Sequence, residues 1–125
     1  MCFSANGQEK TVKKVAPKPT VSLDGKTLFN QYCAVCHGQD GKGTGPAADA
    51  LKQNPTDLTQ ISRKNNGAFP EQQIMAGLRG GGPKAHGSTD MPIWGPIFSN
   101  MSNNLTLTQT RMHALVNYLE SIQAK

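Results

Sequence analysis

The run Cys33-Ala34-Val35-Cys36-His37 constrains this chain more than any other stretch of its sequence. Two thiols three positions apart near a helix end project from almost the same side of the backbone. They can therefore add to the two vinyl groups of one porphyrin, and the adjacent imidazole then lies under the iron as a proximal ligand. The run predicts one c-type haem bound covalently through Cys33 and Cys36, with His37 as an iron ligand.

Two other kinds of site use a Cys-x-x-Cys pair, namely a structural zinc site and a thioredoxin-like redox pair. A structural zinc site needs four ligands. The sequence has no second Cys-x-x-Cys, and His86 and His113 lie 27 residues apart, which is unlike a paired zinc-ligand spacing. A thioredoxin-like motif accompanies a βαβ pattern, and no strand-rich segment is visible here. Haem attachment is therefore the interpretation that the sequence favours.

The composition agrees with a small domain built around a cofactor. The 125 residues are only 36% hydrophobic and 6% aromatic, and they include 13 glycines and 8 prolines. This length predicts one domain. A buried porphyrin would supply apolar surface that the side chains lack, so a lean core is compatible with a haem-centred fold.

The formal net charge of +5 is unevenly distributed along the chain. Residues 1–22 carry four lysines against one glutamate, whereas residues 23–125 carry nine basic and seven acidic side chains. Two haem propionates would bring the second part close to neutrality. The pI of about 9.3 is therefore mostly a property of the tail. Nucleic-acid binding is not expected, because the second part has no basic cluster interleaved with aromatic residues.

Residues 1–22 are polar, rich in lysine and end near a Pro-Lys-Pro element, a composition typical of linkers. We expect them to form a flexible linker or tether ahead of a domain over residues 23–125. Cys2 resembles the lipid-modified cysteine that begins a mature bacterial lipoprotein, the alternative being an incidental exposed thiol. Acylation of Cys2 would tether the domain to a membrane surface.

The expected location is the periplasm or the extracytoplasmic side of a bacterial membrane. Covalent haem attachment normally takes place outside the cytoplasm, so we expect this sequence to be the mature form of an exported protein. No apolar stretch approaches the ~18–20 residues needed to span a bilayer, and no signal-peptide hydrophobic region is visible.

Helical patterns lie on both sides of the Cys-x-x-Cys-His run. Asp24 is the predicted N-cap of a first helix. The apolar face of this helix consists of Leu28, Phe29 and Tyr32. A middle helix is predicted over 69–79, with Pro70 in its first turn. Thr108 is the predicted N-cap of the last helix, and residues 80–104 between them are predicted to form a long irregular loop.

Residues 23–46, LDGKTLFNQYCAVCHGQDGKGTGP, resemble the haem-binding start of a small class I cytochrome c. The resemblance implies an all-α fold of three to five short helices around one covalently bound haem, with long Gly/Pro-rich loops. It also implies that Gly25 and Phe29 pack on the final helix near Tyr118. Pro46 matches the family proline whose carbonyl region helps to hold the proximal histidine ring.

Four residues compete as the sixth iron ligand: Met75, Met91, Met101 and His86. Met75 falls in helical phase and is better explained as core filler. Met91 precedes a proline in a loop, as the axial methionine does in the class I family, so we predict His/Met ligation by His37 and Met91. We also expect Trp94 to pack against the haem with its N–H available to a propionate or carbonyl, the alternative being an ordinary core residue.

The resemblance implies single-electron transfer without substrate turnover, so the chain is not expected to be an enzyme. We expect it to feed a terminal oxidase or another respiratory complex, with redox partners such as that oxidase or a quinol-oxidising complex. The alternative is a haem-based gas-binding sensor or a peroxidase-like protein. Either alternative requires a methionine ligand that is easily displaced.

Overall fold

A computed structural model describes residues 22–80, 91–102 and 104–124. The predicted linker up to residue 21, which includes Cys2, lies outside these ranges, and so does His86. Among the helices of the described ranges, none has both the length and the apolar character required to cross a bilayer.

The described residues form α-helices joined by turns and two short 3₁₀ segments, with no β-strand among them. The helices are α1 (Gly25–Tyr32), α2 (Ala34–His37), α3 (Ile61–Lys64), α4 (Glu71–Leu78), α5 (Trp94–Ser102) and α6 (Leu105–Ser121). The 3₁₀ segments are Ala48–Ala50 and Leu58–Gln60. The all-α prediction is confirmed, although six helices are found in these ranges where three to five were expected.

The first helix begins as the sequence predicts. The carboxylate of Asp24 accepts hydrogen bonds from the backbone N–H of Thr27 at 2.9 Å and from its hydroxyl at 2.8 Å. These bonds satisfy a donor that the helix itself leaves without a partner, and they hold the pKa of Asp24 below its usual value. The helix is interrupted at Cys33, and the chain continues as α2. This interruption accounts for one of the additional helices.

The segment predicted as an irregular loop contains α5, so that prediction is wrong for residues 94–102. The glycine and proline content suggested a loop, but Pro96 lies in the first turn of α5, where a backbone N–H has no partner within the helix in any case. Trp94, Phe98 and Met101 recur at helical spacing on the face that packs into the core. This apolar periodicity outweighs the loop-forming composition.

The last helix begins earlier than predicted. Asn104, not Thr108, is the N-cap, and its side chain accepts a hydrogen bond from the backbone N–H of Leu107 at 3.1 Å. Thr108 is instead buried, and its hydroxyl donates to the Asn104 carbonyl at 3.1 Å. Both residue types are good caps, so their sequence positions alone did not distinguish them.

Helices α1 and α6 cross in close contact. A Cβ at Gly25 would collide with the carbonyl oxygen of Ala114 and lie about 3.0 Å from the Cβ of Tyr118. Phe29 is fully buried, and its ring lies 5.3 Å from that of Tyr118. The predicted packing of Gly25 and Phe29 against Tyr118 is therefore present in the structure.

Aromatic rings join α5 to α1. The Tyr32 ring lies 5.3 Å from Trp94 and 5.6 Å from Phe98. Trp94 and Phe98 are themselves 5.6 Å apart. Such tilted and edge-on pairs contribute more than their buried area alone. This aromatic cluster fixes α5 beside the segment that carries the cysteines.

Replacing Gly25 by Ala should destabilise the protein by about 1–3 kcal/mol, because the new methyl group meets the α6 backbone. Alanine is otherwise the better helix former, so a loss of stability reports the close crossing. Denaturant unfolding of the haem-loaded protein measures this effect. Lys26→Ala, at the exposed neighbouring position, is the control and should be neutral. Equal stability of the two variants would contradict the close α1–α6 crossing.

Candidate haem site

A cavity of about 380 Å³ lies between α1, α4, α6 and the loops. Its walls are mostly apolar and include Phe29, Leu58, Ile74, Leu78, Trp94, Leu115 and Leu119. Cys33, Cys36 and His37 also line it. The cysteine pair, the histidine and a large apolar volume are thus brought to one place by residues distributed along the whole domain.

The two cysteines of the motif differ in their surroundings. Cys33 is buried and Cys36 is partly exposed. Burial raises the pKa of Cys33 to about 12, with a smaller contribution from the neighbouring Cys36. A thioredoxin-like pair needs a thiol with a lowered pKa that attacks as thiolate. The environment of Cys33 has the opposite effect, so Cys33 is not an activated nucleophile.

The orientation of His37 follows from one hydrogen bond. Its Nδ1 lies 3.0 Å from the carbonyl oxygen of Thr56. A carbonyl can only accept, so Nδ1 carries the proton and Nε2 keeps its lone pair. This is the tautomer that a histidine needs to bind a metal through Nε2, and a carbonyl partner on the other nitrogen is the usual orienting group.

The chain around residues 41–58 folds so that this carbonyl reaches the histidine. The backbone N–H of Gly43 donates to the His37 carbonyl at 2.7 Å, and the N–H of Leu58 donates to Gly41 at 2.6 Å. Gly43 has a φ of +93°, and a Cβ there would collide with the Pro55 carbonyl. Glycine is required at this position, because both the backbone conformation and the space exclude a side chain.

The prediction for Pro46 is wrong in its role. Pro46 is exposed and does not contribute to the cavity wall, whereas Pro55 does. The carbonyl on His37 belongs to Thr56. Pro46 follows Gly45, whose N–H donates to the Cys36 carbonyl at 3.0 Å. This bond belongs to a turn immediately after the motif. The segment that returns to His37 lies later in the chain and contains Thr56.

The candidates for the sixth ligand fall in different places. Met75 is buried in the core, as expected for a core filler. The sulfur of Met101 accepts a hydrogen bond from the Tyr32 hydroxyl at 3.8 Å. Among the described methionines, Met91 is the one that lines the cavity. Ligation by Met91 stays a prediction, but the structure brings it to the same cavity as His37.

Trp94 is buried in the core and also lies on the wall of the cavity. Its ring belongs to the aromatic cluster with Tyr32 and Phe98, and it also lines the cavity. It is therefore a core residue that forms part of the cavity wall. Its contact with haem stays a prediction.

The residues present fit a covalently attached haem. Two thiols and one correctly protonated imidazole face an apolar cavity, and a thioether lies on its wall. Within the part of the chain that the structure describes, no group of three or more His, Cys, Asp or Glu side chains is arranged to hold a metal ion by itself. The iron of a haem needs only the axial ligands from the protein.

Comparison with known proteins agrees with this site. Residues 22–123 match the family described as Cytochrome c. Over 65 residues the chain is 32% identical to the Polyvinylalcohol dehydrogenase of Sphingopyxis sp. (strain 113P3), a match that covers 48% of this chain and 10% of that protein. No solved structure matches the chain significantly. The chain thus spans a small fraction of the curated relative.

The chain belongs to the cytochrome c family, since the family match extends over nearly the whole described domain. The resemblance to a class I cytochrome c and the all-α fold class are confirmed. Membership implies a covalently bound haem c.

Sequence reasoning missed the importance of Thr56, because a backbone carbonyl leaves no signature in side-chain chemistry. One signal was available. The segment Asn54–Thr59 resembles the Pro-x-Asp-Leu segment of the family, which marked it as a short helix after a loop. Asp57 indeed caps the 3₁₀ segment that follows, and this cap fixes the residues next to Thr56.

Asp57 should contribute stability that disappears in acid. Its carboxylate accepts from the Thr59 hydroxyl and backbone N–H, and the hydroxyl bond is the main cause of its lowered pKa. A carboxyl with a lowered folded-state pKa stabilises above its ordinary pKa, and this stability is lost as the pH falls through the folded value. Asp57→Ala should therefore cost about 1 kcal/mol at neutral pH and progressively less below about pH 4.

Denaturant unfolding of the haem-loaded wild type and variant across this pH range measures the difference. Asp57→Asn is the matched control, since it keeps an acceptor without the charge and should differ from the wild type least at low pH. A gap between wild type and Asp57→Ala that stays constant from neutral to acid pH would contradict the role of the ionised carboxylate.

Proposed function

We propose that this cytochrome c carries single electrons with His37 and Met91 as the two axial ligands of its iron, and that it turns over no substrate of its own. The observation that carries the proposal is the 3.0 Å contact between His37 Nδ1 and the Thr56 carbonyl. This contact leaves Nε2 with its lone pair in a cavity that Met91 also lines.

When bound, haem c supplies an iron that alternates between the ferric and ferrous states and so carries one electron. Cys33 and Cys36 would hold the group through thioether bonds. His37 would donate from Nε2, while the Thr56 carbonyl keeps the ring from rotating and increases its basicity. With His37 and Met91 both bound to the iron, no coordination position would stay open for a substrate.

The walls of the cavity favour the reduced state. Leu115 and Leu119 from α6 and Phe29 from α1 exclude water from it. A low dielectric disfavours additional positive charge, and the soft thioether of Met91 is a weak donor that raises the potential relative to a second histidine. These residues therefore act together on the reduction potential.

Met91→Ala should abolish the sulfur–iron charge-transfer absorption and lower the reduction potential, because the site loses its thioether. Met101→Ala is the matched control: the sulfur of Met101 is engaged by Tyr32, so the absorption should persist. An unchanged spectrum in Met91→Ala would overturn the assignment of this methionine.

Carbon monoxide binding to the wild type and to Met91→Ala distinguishes the electron carrier from the gas-sensor or peroxidase-like alternative. The reduced wild type should bind carbon monoxide slowly or incompletely at neutral pH, and Met91→Ala should bind it rapidly. Rapid and complete binding by the wild type would favour the alternative, in which the sixth ligand is displaced in function.

For the electron acceptor we propose a terminal oxidase or another respiratory complex on the extracytoplasmic side of the membrane. A quinol-oxidising complex is one class of donor. The similarity to a protein named Polyvinylalcohol dehydrogenase supports a second class, a dehydrogenase that oxidises an alcohol. Isolation of the native protein with its bound partners tests these proposals, since a co-purifying oxidase, quinol-oxidising complex or dehydrogenase identifies the exchange partner.

We further propose that Cys2 carries a lipid and that residues 1–22 tether the domain to the membrane. The lysine-rich composition of residues 1–22, which favours contact with anionic lipid headgroups, supports this proposal. Mass spectrometry of the native protein should find a mass increase on Cys2 that corresponds to acyl chains. Cys2→Ser should release the protein from the membrane fraction with its haem spectrum unchanged. An unmodified cysteine in the native protein would remove the anchor.

A further inference from the structure

The carboxyl-terminal end of the chain is hydrogen-bonded to the segment that orients the proximal histidine. The side-chain amide of Gln123 donates to the Leu58 carbonyl at 2.6 Å and to the Leu119 carbonyl at 2.8 Å. Its oxygen accepts from the backbone N–H of Ser62 at 2.9 Å. One side chain thus joins the end of α6 to the first residue of the Leu58–Gln60 3₁₀ segment and to α3, which follows that segment.

Two further contacts make this attachment broader than a single residue. The backbone N–H of Ala124 donates to the Thr59 carbonyl at 2.8 Å. The side chain of Ile122 packs so closely on Gly41 that a Cβ there would lie about 3.0 Å from it. Residues 122–124 therefore cover the outer side of the 3₁₀ segment and of the loop after the haem motif.

Leu58, one of the residues that Gln123 holds, lies two positions from Thr56, the partner of His37. Leu58 receives the Gln123 amide at its carbonyl, and its own N–H donates to Gly41 at 2.6 Å. Thr56 lies immediately before Asp57 and Leu58, and its carbonyl accepts from His37. A displacement of Leu58 would move Thr56, and the length and angle of the histidine hydrogen bond would change with it.

We propose that Gln123 is a positioning residue for the axial histidine, acting through Leu58 and Thr56. Its amide holds the carbonyl of Thr56 against His37 Nδ1 and thereby tunes the donor strength of the imidazole. The inference rests on the proposed role of His37 as an iron ligand. It assigns to the last residues of the chain an effect on the reduction potential, although they are distant in sequence from the haem motif.

Gln123→Met tests this role, because methionine has a similar length but cannot make the three hydrogen bonds. In the haem-loaded, reduced protein, the His37 Nδ1 proton should exchange with solvent about tenfold faster, as observed by NMR. The reduction potential should rise, since a longer hydrogen bond leaves the imidazole a weaker donor. Gln123→Glu also loses both donated bonds and should shift the two readouts in the same direction.

Two controls separate positioning from general destabilisation. Gln31→Met changes an exposed glutamine on α1 and should alter neither readout. Gly25→Ala weakens the α1–α6 crossing and should accelerate exchange of the His37 proton and of core amides equally. In Gln123→Met, acceleration of the His37 proton beyond that of α6 core amides, with a raised potential, supports the proposal. Equal acceleration of both, or an unchanged potential, overturns it.

The wild-type spectrum tests the underlying function separately. An axial imidazole shows strongly ring-current-shifted carbon-bound protons in the reduced protein. If these signals are missing from His37 in the wild type, the ligand assignment itself is wrong. If they are present and Gln123→Met leaves the His37 proton and the potential unchanged, only the positioning role fails.

Discussion

The hydrogen bond between His37 Nδ1 and the Thr56 carbonyl is the contact on which the chemistry of this site depends. It determines the tautomer of the histidine and the direction in which Nε2 points. The motif that provides the cysteines and the histidine does not supply this partner, because the carbonyls of Cys33 and of the short helix Ala34–His37 accept hydrogen bonds from other backbone N–H groups. A second segment must therefore return to the histidine, and much of the loop structure between residues 38 and 60 serves that return.

The packing of the helices positions both the haem motif and the segment that contacts His37. Gly25 allows α1 to approach α6 closely enough that a side chain there would strike the Ala114 carbonyl. This crossing places the start of the haem motif, at the end of α1, beside the apolar face of α6. Residues 122–124, which follow this helix, contact the 3₁₀ segment next to Thr56 and the loop at Gly41. One long helix thus supports the cavity wall at its middle and the histidine's partner at its end.

The sequence predicted those features that depend on side-chain type at fixed spacing. The cysteine pair with its histidine and the Asp24 cap each have a local signature, whereas the Gly25 crossing was implied by the family resemblance. All three are found where predicted. The features that it missed depend on backbone geometry or on competition between signals. The Thr56 carbonyl has no side-chain signature, and Pro46 resembled the family proline in type and position only. In α5, the Gly/Pro content suggested a loop although Trp94 and Phe98 repeat at helical spacing.

The two proposed axial ligands depend on different parts of the chain, and this has a physical consequence. His37 is held by bonds within residues 37–60 and by the carboxyl-terminal end of α6, whereas Met91 precedes α5, which packs on α1 through aromatic rings. A change in the aromatic cluster would act mainly on the methionine side of the cavity. A change in the 3₁₀ segment would act mainly on the histidine side. The donor strengths of the two proposed ligands would therefore respond to different contacts, and a change in either could alter the reduction potential of a bound haem.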